Sequence, residues 1–156
     1  MRLVNIIATI LLLLFGSIIL GILISYAYRF WLKIRFRIRY GSQGRFVLFV
    51  YSNSPNWKDY IESKILPRID EHAVTLNWSE RKKWKTQSPF EARVFRRWAG
   101  ESEFNPIAIV LPPNGKVKVV RFWQAFKDYK HGRDHTLKRA EEELFKEVDR
   151  LLGKPV

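Results

Sequence analysis

An uncharged apolar run from Leu3 to Tyr28 constrains this chain more than any other feature of its sequence. A helix over the run would be about 39 Å long at about 1.5 Å per residue, which exceeds the hydrocarbon core of a bilayer at about 30 Å. We therefore predict a transmembrane anchor over residues 1–30. The chain is then a single-pass protein of a plasma membrane or a bacterial-type inner membrane.

A cleaved signal peptide is the alternative, because Ser25-Tyr26-Ala27 resembles a small-x-small cleavage site. The apolar part of a signal peptide is normally about 7 to 15 residues long and follows a basic segment. Here the run is longer, and Arg2 is the only base before it. Both differences favour the anchor.

The charges that flank the run predict its orientation. Six bases follow the run closely enough to influence its orientation in the membrane: Arg29, Lys33, Arg35, Arg37, Arg39 and Arg45. Because cytoplasmic flanks carry the excess of Lys and Arg, we expect the N-terminus outside and the C-terminal domain in the cytoplasm.

Small residues recur at every fourth position within the run, at Ser17, Gly21 and Ser25. Such a stripe can let two membrane helices approach closely and form a homodimer. Small residues are also common in membrane helices without any such contact, and we favour that simpler interpretation.

Apolar and basic side chains alternate directly after the run, in WLKIRFRIRY from Trp31 to Tyr40. A period of two residues predicts a strand with one basic face, so we interpret residues 31–45 as a basic juxtamembrane strand and turn. An ordinary solvated strand face would have the same pattern. Near a bilayer, however, each base adds about 1 kcal/mol of attraction to anionic headgroups. The bases expected to make these contacts are Arg29, Lys33, Arg35, Arg37 and Arg39.

Charge and cysteine content narrow the function. The chain has 28 Lys and Arg against 15 Asp and Glu, a formal charge of +13, so its soluble part should seek anionic surfaces. The absence of cysteine excludes disulfides, thiolate metal sites and cysteine nucleophiles. We expect no cofactor and no metal, since Gly132 interrupts the helical spacing at which His131 and His135 would face one ion.

Strand and helix patterns alternate beyond the basic segment, as in an α/β domain. Strands are predicted over Phe46–Tyr51, Ala73–Trp78, Ile107–Leu111 and Val117–Phe122, the last two joined by a hairpin in which Asn114-Gly115 supplies positive φ angles. Helices are predicted from a Ser54 cap to Pro67, from a Ser88 cap with a Glu91 capping box to Gly100, and from near Asp134 or Thr136 to Leu152. A loop rich in aromatic residues, with Trp123, Phe126 and Tyr129, precedes the last helix.

Two stretches in this order resemble the thioredoxin-like family. FVYSNSPNWK, from Phe49 to Lys58, occupies the strand-to-helix turn where thioredoxins carry WCGPCK. Asn105-Pro106, followed by IAIVL and the Asn-Gly hairpin, is similar to the cis-proline strand of that family. The resemblance implies an α/β fold in which the transmembrane helix precedes a thioredoxin-like α/β sandwich with a central mixed sheet, over residues 46–152, and leaves 153–156 as a tail.

The resemblance also implies a groove that holds extended peptide. Its lining residues in this chain are Ser54, Pro55, Asn56, Trp57, Asn105 and Pro106. Thioredoxins attack disulfides with a thiolate at this turn, so the lack of cysteine excludes thiol-disulfide oxidoreductase activity here. The alternative is that the site has lost its function and that Trp57 simply packs.

Two further basic clusters contain tryptophan. They are Arg81, Lys82, Lys83 and Lys85 around Trp84, and Arg93, Arg96 and Arg97 beside Trp98. Interleaved bases and aromatics can bind single-stranded nucleic acid, or can lie on anionic lipid with tryptophan among the headgroups. We favour lipid over nucleic acid, because the anchor already holds the domain within reach of the bilayer.

These observations predict a membrane-anchored, non-catalytic thioredoxin-like module that binds a protein or peptide partner at the cytoplasmic face of the membrane. One alternative is an enzyme derived from a transferase-like or peroxidase-like branch of that fold, with Ser54 or Asn56 orienting a substrate. A second alternative is a nucleic-acid-binding domain tethered to the membrane.

Overall fold

The computed structural model describes residues 2–100 and 104–154, with side chains from residue 5 onward. The chain divides into two compact units, Met1–Arg35 and Phe36–Val156. The strands of the described part all lie in the second unit.

A single helix, α1, runs from Arg2 to Tyr40. Within the described part of the chain, it is the one helix long and apolar enough to cross a membrane, and the most apolar stretch of the helix is entirely exposed. From Ile6 to Tyr28 the large apolar side chains are exposed, as they would be in a helix that spans a bilayer. The prediction of an N-terminal helix long enough to span a bilayer is confirmed.

The strand predicted for residues 31–40 is wrong, because these residues continue α1. Helix propagation from an existing helix is much easier than nucleation, so α1 continues into the basic segment. Leu32, Phe36 and Tyr40 are also spaced every four residues, and the first two of these are buried. The alternating pattern therefore contained a helical stripe as well. The predicted turn is present as a 3₁₀ turn over Gly41–Gln43, which Gly44 closes with a φ of 70°.

The end of α1 belongs to the second unit and is held there by aromatic and polar contacts. The Phe36 ring lies 4.9 Å from the Tyr40 ring and 6.5 Å from the Phe90 ring, measured between centroids. The Tyr40 hydroxyl donates a hydrogen bond to Glu91 Oε1, and Arg39 Nε lies 3.6 Å from the same oxygen. The predicted capping box is therefore wrong: Glu91 is 9% exposed and bonds to Tyr40, and the helix start has no side-chain cap.

A four-stranded mixed sheet forms the centre of the second unit. Its strands are β1 (Val47–Tyr51), β2 (Ala73–Asn77), β3 (Ile107–Val110) and β4 (Lys118–Arg121), in the spatial order β2-β1-β3-β4. β1 pairs in parallel with β2 and antiparallel with β3, and β3 pairs antiparallel with β4. The predicted mixed α/β class and all four strand positions are confirmed. In the hairpin between β3 and β4, only Gly115 has a positive φ, at 91°. The positive φ predicted for Asn114 is therefore wrong.

Helices cover both faces of this sheet. They are α2 (Lys58–Tyr60), α3 (Leu66–Ile69), α4 (Trp84–Gln87), α5 (Phe90–Ala99), α6 (Trp123–Lys130) and α7 (His135–Leu151). Phe49 and Ala108 point into a core that includes residues of α6 and α7, and α5 contacts β1 and β3. Because successive strand residues point to opposite faces, Leu48 and Ile107 are buried on the other side.

Pro67 does not end the first helical region, which has a π-helical turn just before it. Regular helix begins at Lys58, three residues after the predicted Pro55, and a π-helical turn over Ile61–Ile65 joins α2 to α3. Proline lacks the N–H that would bond to the fourth carbonyl before it, and the wider turn accommodates this loss. The helix then continues through Pro67 to Ile69.

Residues 123–130 form helix α6, whereas a loop was predicted. Ala125 and Phe126 are buried in the core that includes Phe122. Tyr129 follows Phe126 by one helical turn, and its ring lies 5.4 Å from that of Tyr60. The aromatic residues therefore have helical spacing, and the polar residues between them obscured it.

We expect Tyr40→Phe to destabilise the second unit by about 1 to 3 kcal/mol, because a largely buried carboxylate loses a donor. Denaturant unfolding of the full chain in detergent micelles, followed by tryptophan fluorescence, measures the change. Tyr129→Phe is the matched control, since Tyr129 is 44% exposed, and it should change stability by less than about 0.5 kcal/mol. Equal stability of the two variants would contradict a contribution from the Tyr40–Glu91 hydrogen bond.

Candidate functional site

The last residues of β1, β2 and β4 and the first residue of β3 lie side by side, at one end of the strands. The register pairs Tyr51 with Asn77, Val50 with Ile107, and Ile107 with Arg121. The loop after β1, the turn after β2 and the segment before β3 therefore lie side by side. We call Ser52–Trp57, Asn77–Ser79 and Asn105–Pro106 together the polar edge.

The loop after β1 is organised by Ser54. Its carbonyl accepts hydrogen bonds from the backbone N–H of Lys58 at 3.0 Å and of Trp57 at 3.3 Å. Its hydroxyl accepts from the backbone and side-chain nitrogens of Asn56, at 3.4 and 3.3 Å. Ser54 thus stabilises the turn before the helix, whose N-cap residue is Trp57 and not Ser54 as predicted.

Trp57 packs against the core and remains partly exposed. It is half-buried against the core, its ring centroid lies 6.2 Å from that of Phe126, and its Nε1 donates to Ser52 Oγ at 3.2 Å. The predicted groove therefore divides into two parts. Pro55 and Asn56 are exposed, whereas Asn105 and Pro106 are buried.

Three polar side chains form a hydrogen-bonded network that sequence reasoning missed. Ser79 Oγ accepts from the backbone N–H of Asn53 at 2.9 Å, and Asn77 Nδ2 donates to Asn53 Oδ1 at 3.0 Å. Asn77 Oδ1 in turn accepts from the backbone N–H of Ser79 at 2.9 Å. The network joins the end of β1 to the end of β2. The available signal was that β1 is followed by Ser52-Asn53, and that β2 ends at Asn77 with Ser79 two residues later.

The segment before β3 is the most enclosed part of the polar edge. The Asn105–Pro106 peptide bond is cis, and the Pro106 carbonyl accepts from the backbone N–H of Phe122 at 2.9 Å. Asn105 is 7% exposed, and its Oδ1 has no hydrogen-bond partner within the described residues. Beside it, the Phe104 ring stacks on Trp123 with centroids 4.6 Å apart.

The predicted lipid-contact bases on α1 are exposed, except for Lys33, which is half-buried. Aromatic residues accompany them at the end of the uncharged run. The Tyr28 ring stacks on the Trp31 ring at 5.9 Å, and the Arg35 guanidinium lies 5.9 Å from the Trp31 ring centroid. Trp31 therefore contacts an aromatic ring and a cation, and it is still 41% exposed.

The second predicted lipid-contact cluster has a different structure from the one expected. Arg81, Lys82, Lys83 and Lys85 are exposed. Trp84 is only 4% exposed and meets the Phe95 ring edge-on at 6.0 Å, so it cannot insert among headgroups as that interpretation required. The third cluster lies on α5, where the Arg93 guanidinium lies 5.6 Å from the Phe90 ring centroid.

The small residues of α1 lie along the exposed part of that helix. Ser17 Oγ donates to the Leu14 carbonyl at 2.8 Å, as serine often does inside a membrane helix. A Cβ built on Gly21 would meet nothing within 4 Å, and Ser25 is half-buried.

Lys130 contacts the polar edge, since its Nζ donates to Asn56 Oδ1 at 3.4 Å, and two tyrosines lie beside the polar edge in the chain. Burial and a hydrogen bond to Glu62 raise the pKa of Tyr51 to about 12, so its hydroxyl is protonated at neutral pH. Burial and a hydrogen bond to Glu141 raise the pKa of Tyr60 to about 12 in the same way. Within the described residues, no group of three or more His, Cys, Asp or Glu side chains could hold a metal ion.

Comparisons of this chain with models of known protein families, with characterised protein sequences and with solved structures found no match. Its function therefore has to be argued from the geometry of its own residues.

We expect Asn77→Ala to loosen the polar edge, because it removes both bonds that Asn77 makes in the network. The loss should cost about 1 kcal/mol and speed amide exchange at Ser79. Hydrogen exchange of the full chain in micelles measures this locally. Asn114→Ala, in the exposed hairpin, should leave exchange at Ser79 unchanged; the same exchange rate in both variants would refute a structural role for the network.

We expect the pKa of Tyr51 to make stability fall at high pH. Its pKa in the folded chain, about 12, lies above the ordinary 10.0, so the contribution is complete below pH 10.0 and is lost as the pH rises through about 12. Absorbance is measured as a function of pH for the wild type and for Tyr51→Phe. The difference between the two titration curves gives the ionisation of the Tyr51 phenol. A midpoint near 10.0 would show that neither burial nor Glu62 affects it.

Proposed function

We propose that this chain is a single-pass membrane protein whose second unit is a cysteine-free, thioredoxin-like module that binds a protein or peptide partner at the cytoplasmic face. The observation that carries the proposal is the chemistry of the polar edge. Its hydrogen-bonding side chains are amides and hydroxyls, from Asn53, Asn56, Asn77 and Ser79. Such groups can pair with a peptide backbone, and none of them is a strong nucleophile or base at neutral pH.

The strand arrangement supports a thioredoxin-like module. A parallel pair, β1 and β2, is connected through helix, and the antiparallel pair β3 and β4 is followed by α6 and α7. Pro106 stands directly before β3, and the loop Ser52–Trp57 lies at the same sheet edge. This is the arrangement that the resemblance implies for a peptide groove.

The bases and aromatics at the end of the uncharged run support the proposed side of the membrane. Exposed aromatic residues collect there, at Tyr26, Tyr28, Phe30 and Trp31. Aromatic side chains favour the headgroup zone, and an excess of Lys and Arg marks the cytoplasmic side. Anionic lipid would then face Arg29, Lys33, Arg35, Arg37 and Arg39. A homodimer through Ser17, Gly21 and Ser25 would be compatible with this placement.

A single introduced cysteine tests both the side of the membrane and partner binding, because the natural chain contains none. We expect Asn56→Cys, in membranes of the expressing cells, to react with a membrane-impermeant maleimide only in inside-out vesicles. A photoreactive maleimide on the same cysteine should give one or a few discrete cross-linked products of higher mass. Asn56 suits the test because it is exposed and lies within the polar edge.

Asn114→Cys, in the exposed hairpin, is the control and should be labelled from the same side without giving those products. Labelling in right-side-out vesicles alone would overturn the orientation. Absence of products specific to Asn56→Cys would overturn the binding function of the polar edge. Products made of nucleic acid would support the tethered nucleic-acid-binding alternative instead.

A further inference from the structure

The two edge strands of the sheet, β2 and β4, are protected against strand addition to different degrees. β4 carries a charged residue at each end: Lys118 Nζ lies 3.4 Å from Glu143, and Arg121 Nη1 donates to the Ala99 carbonyl at 2.8 Å. β2, with the sequence AVTLN, has no charge, proline or glycine. Charged residues, prolines and bulges are the usual means by which proteins prevent strand addition at a sheet edge.

β2 is open on its outer side. Within residues 2–100 and 104–154, β1 is the strand to which it is hydrogen-bonded, and the pairing is continuous from Ala73 to Asn77. Thr75 is exposed, and Val74 and Leu76 are only partly buried. A row of backbone N–H and C=O groups therefore faces away from β1, as in sheet edges that accept an extended peptide.

A basic segment follows β2 directly and is held in place at both ends. Ser79, at its start, bonds to Asn53 through the network, and buried Trp84 fixes its other end against Phe95. Between these points the Arg81 guanidinium lies 3.7 Å from the Trp78 ring centroid. The exposed bases of the segment are Arg81, Lys82, Lys83 and Lys85, and Lys83 pairs with Glu80 at 3.2 Å.

We propose that β2 binds an extended acidic segment of a partner protein, which adds a strand to the sheet and places its carboxylates against Arg81, Lys82, Lys83 and Lys85. The open edge supplies backbone hydrogen bonds, and the basic segment selects for negative charge. This surface is separate from the exposed loop residues of the polar edge, so it goes beyond the function proposed above. Failure at one surface would not imply failure at the other.

An acidic peptide fits these observations better than anionic lipid does. A lipid headgroup offers no regular row of donors and acceptors to match a strand edge. The tryptophan expected to enter the bilayer from this segment is Trp84, and it is buried. The bases remain attractive to any anion, so lipid has to be an arm of the test.

The test uses the full chain in nanodiscs of zwitterionic lipid and a fluorescent peptide of five alternating Thr and Val residues followed by four Glu. A second peptide carries the four Glu at its start, which distinguishes parallel from antiparallel addition. We expect saturable binding of one orientation. Replacing the four Glu by Lys should weaken it at least about tenfold.

Charge reversal on the protein is the matching change. Arg81→Glu, Lys82→Glu, Lys83→Glu and Lys85→Glu together should weaken binding at least about tenfold. The control reverses four equally exposed bases elsewhere and should change affinity less than about twofold. The control residues are Lys64, Lys116, Arg139 and Lys146. Circular dichroism of both variants shows whether they remain folded.

Backbone methylation of the peptide distinguishes strand addition from simple charge attraction. In an added strand, alternate amides face the protein, so N-methylation of one alternate set should abolish binding and methylation of the other set should not. Equal affinity of both methylated peptides, or no saturable binding, would overturn the proposal. The proposal would also be overturned if charge reversal left peptide binding unchanged and weakened only the association of the nanodisc-held protein with phosphatidylglycerol vesicles.

Discussion

The pairing of β1 on both of its sides is the constraint on which the second unit depends. β1 is buried on both faces and lies between a parallel neighbour and an antiparallel one. A parallel neighbour requires a crossover, and Ile61, Ile65 and Ile69 of that crossover pack on the same face as α6 and α7. The same pairing brings the ends of β1 and β2 to the start of β3, so the polar edge is a direct result of the strand order.

The two edge strands of the sheet differ in how their backbone is protected, and this difference is the basis of the binding surface proposed on β2. The charged residues of β4 are paired with other parts of the unit, while β2 keeps an open backbone edge. Asn77 joins the two proposed surfaces, since its side chain belongs to the network and its backbone ends β2. The two surfaces therefore meet at the end of β2, and the segment between Ser79 and Trp84 adds positive charge after it.

The strands were predictable because a strand buried on both faces appears as a continuous apolar run, as in FVLFVY. Two of the helical errors arose where apolar residues at helical spacing stand among basic and polar ones. In residues 31–40 the alternation concealed the four-residue spacing of Leu32, Phe36 and Tyr40, which was the local sign that α1 continues. In α6, Trp123, Phe126 and Tyr129 are each one turn apart, and polar residues, with Lys127 the only base, stand between the aromatic ones. Residues 31–40 fit both a two-residue and a four-residue period. Whether such a segment forms a strand or a helix depends on which residues each of its faces contacts in the folded chain.

The loop after β1 was predictable, but the hydrogen bonds around it were not. Ser54 and Asn56 lie on the expected loop, yet Asn53, Asn77 and Ser79 form the network, because hydrogen bonds across strands depend on register. Trp57 and Trp84 stand beside polar and basic residues in the sequence, but in the structure Trp57 packs on Phe126 and Trp84 on Phe95. With those two rings packed inward, amides, backbone groups and exposed bases are left to contact a ligand along β2. An extended acidic chain can satisfy all three kinds of group at once.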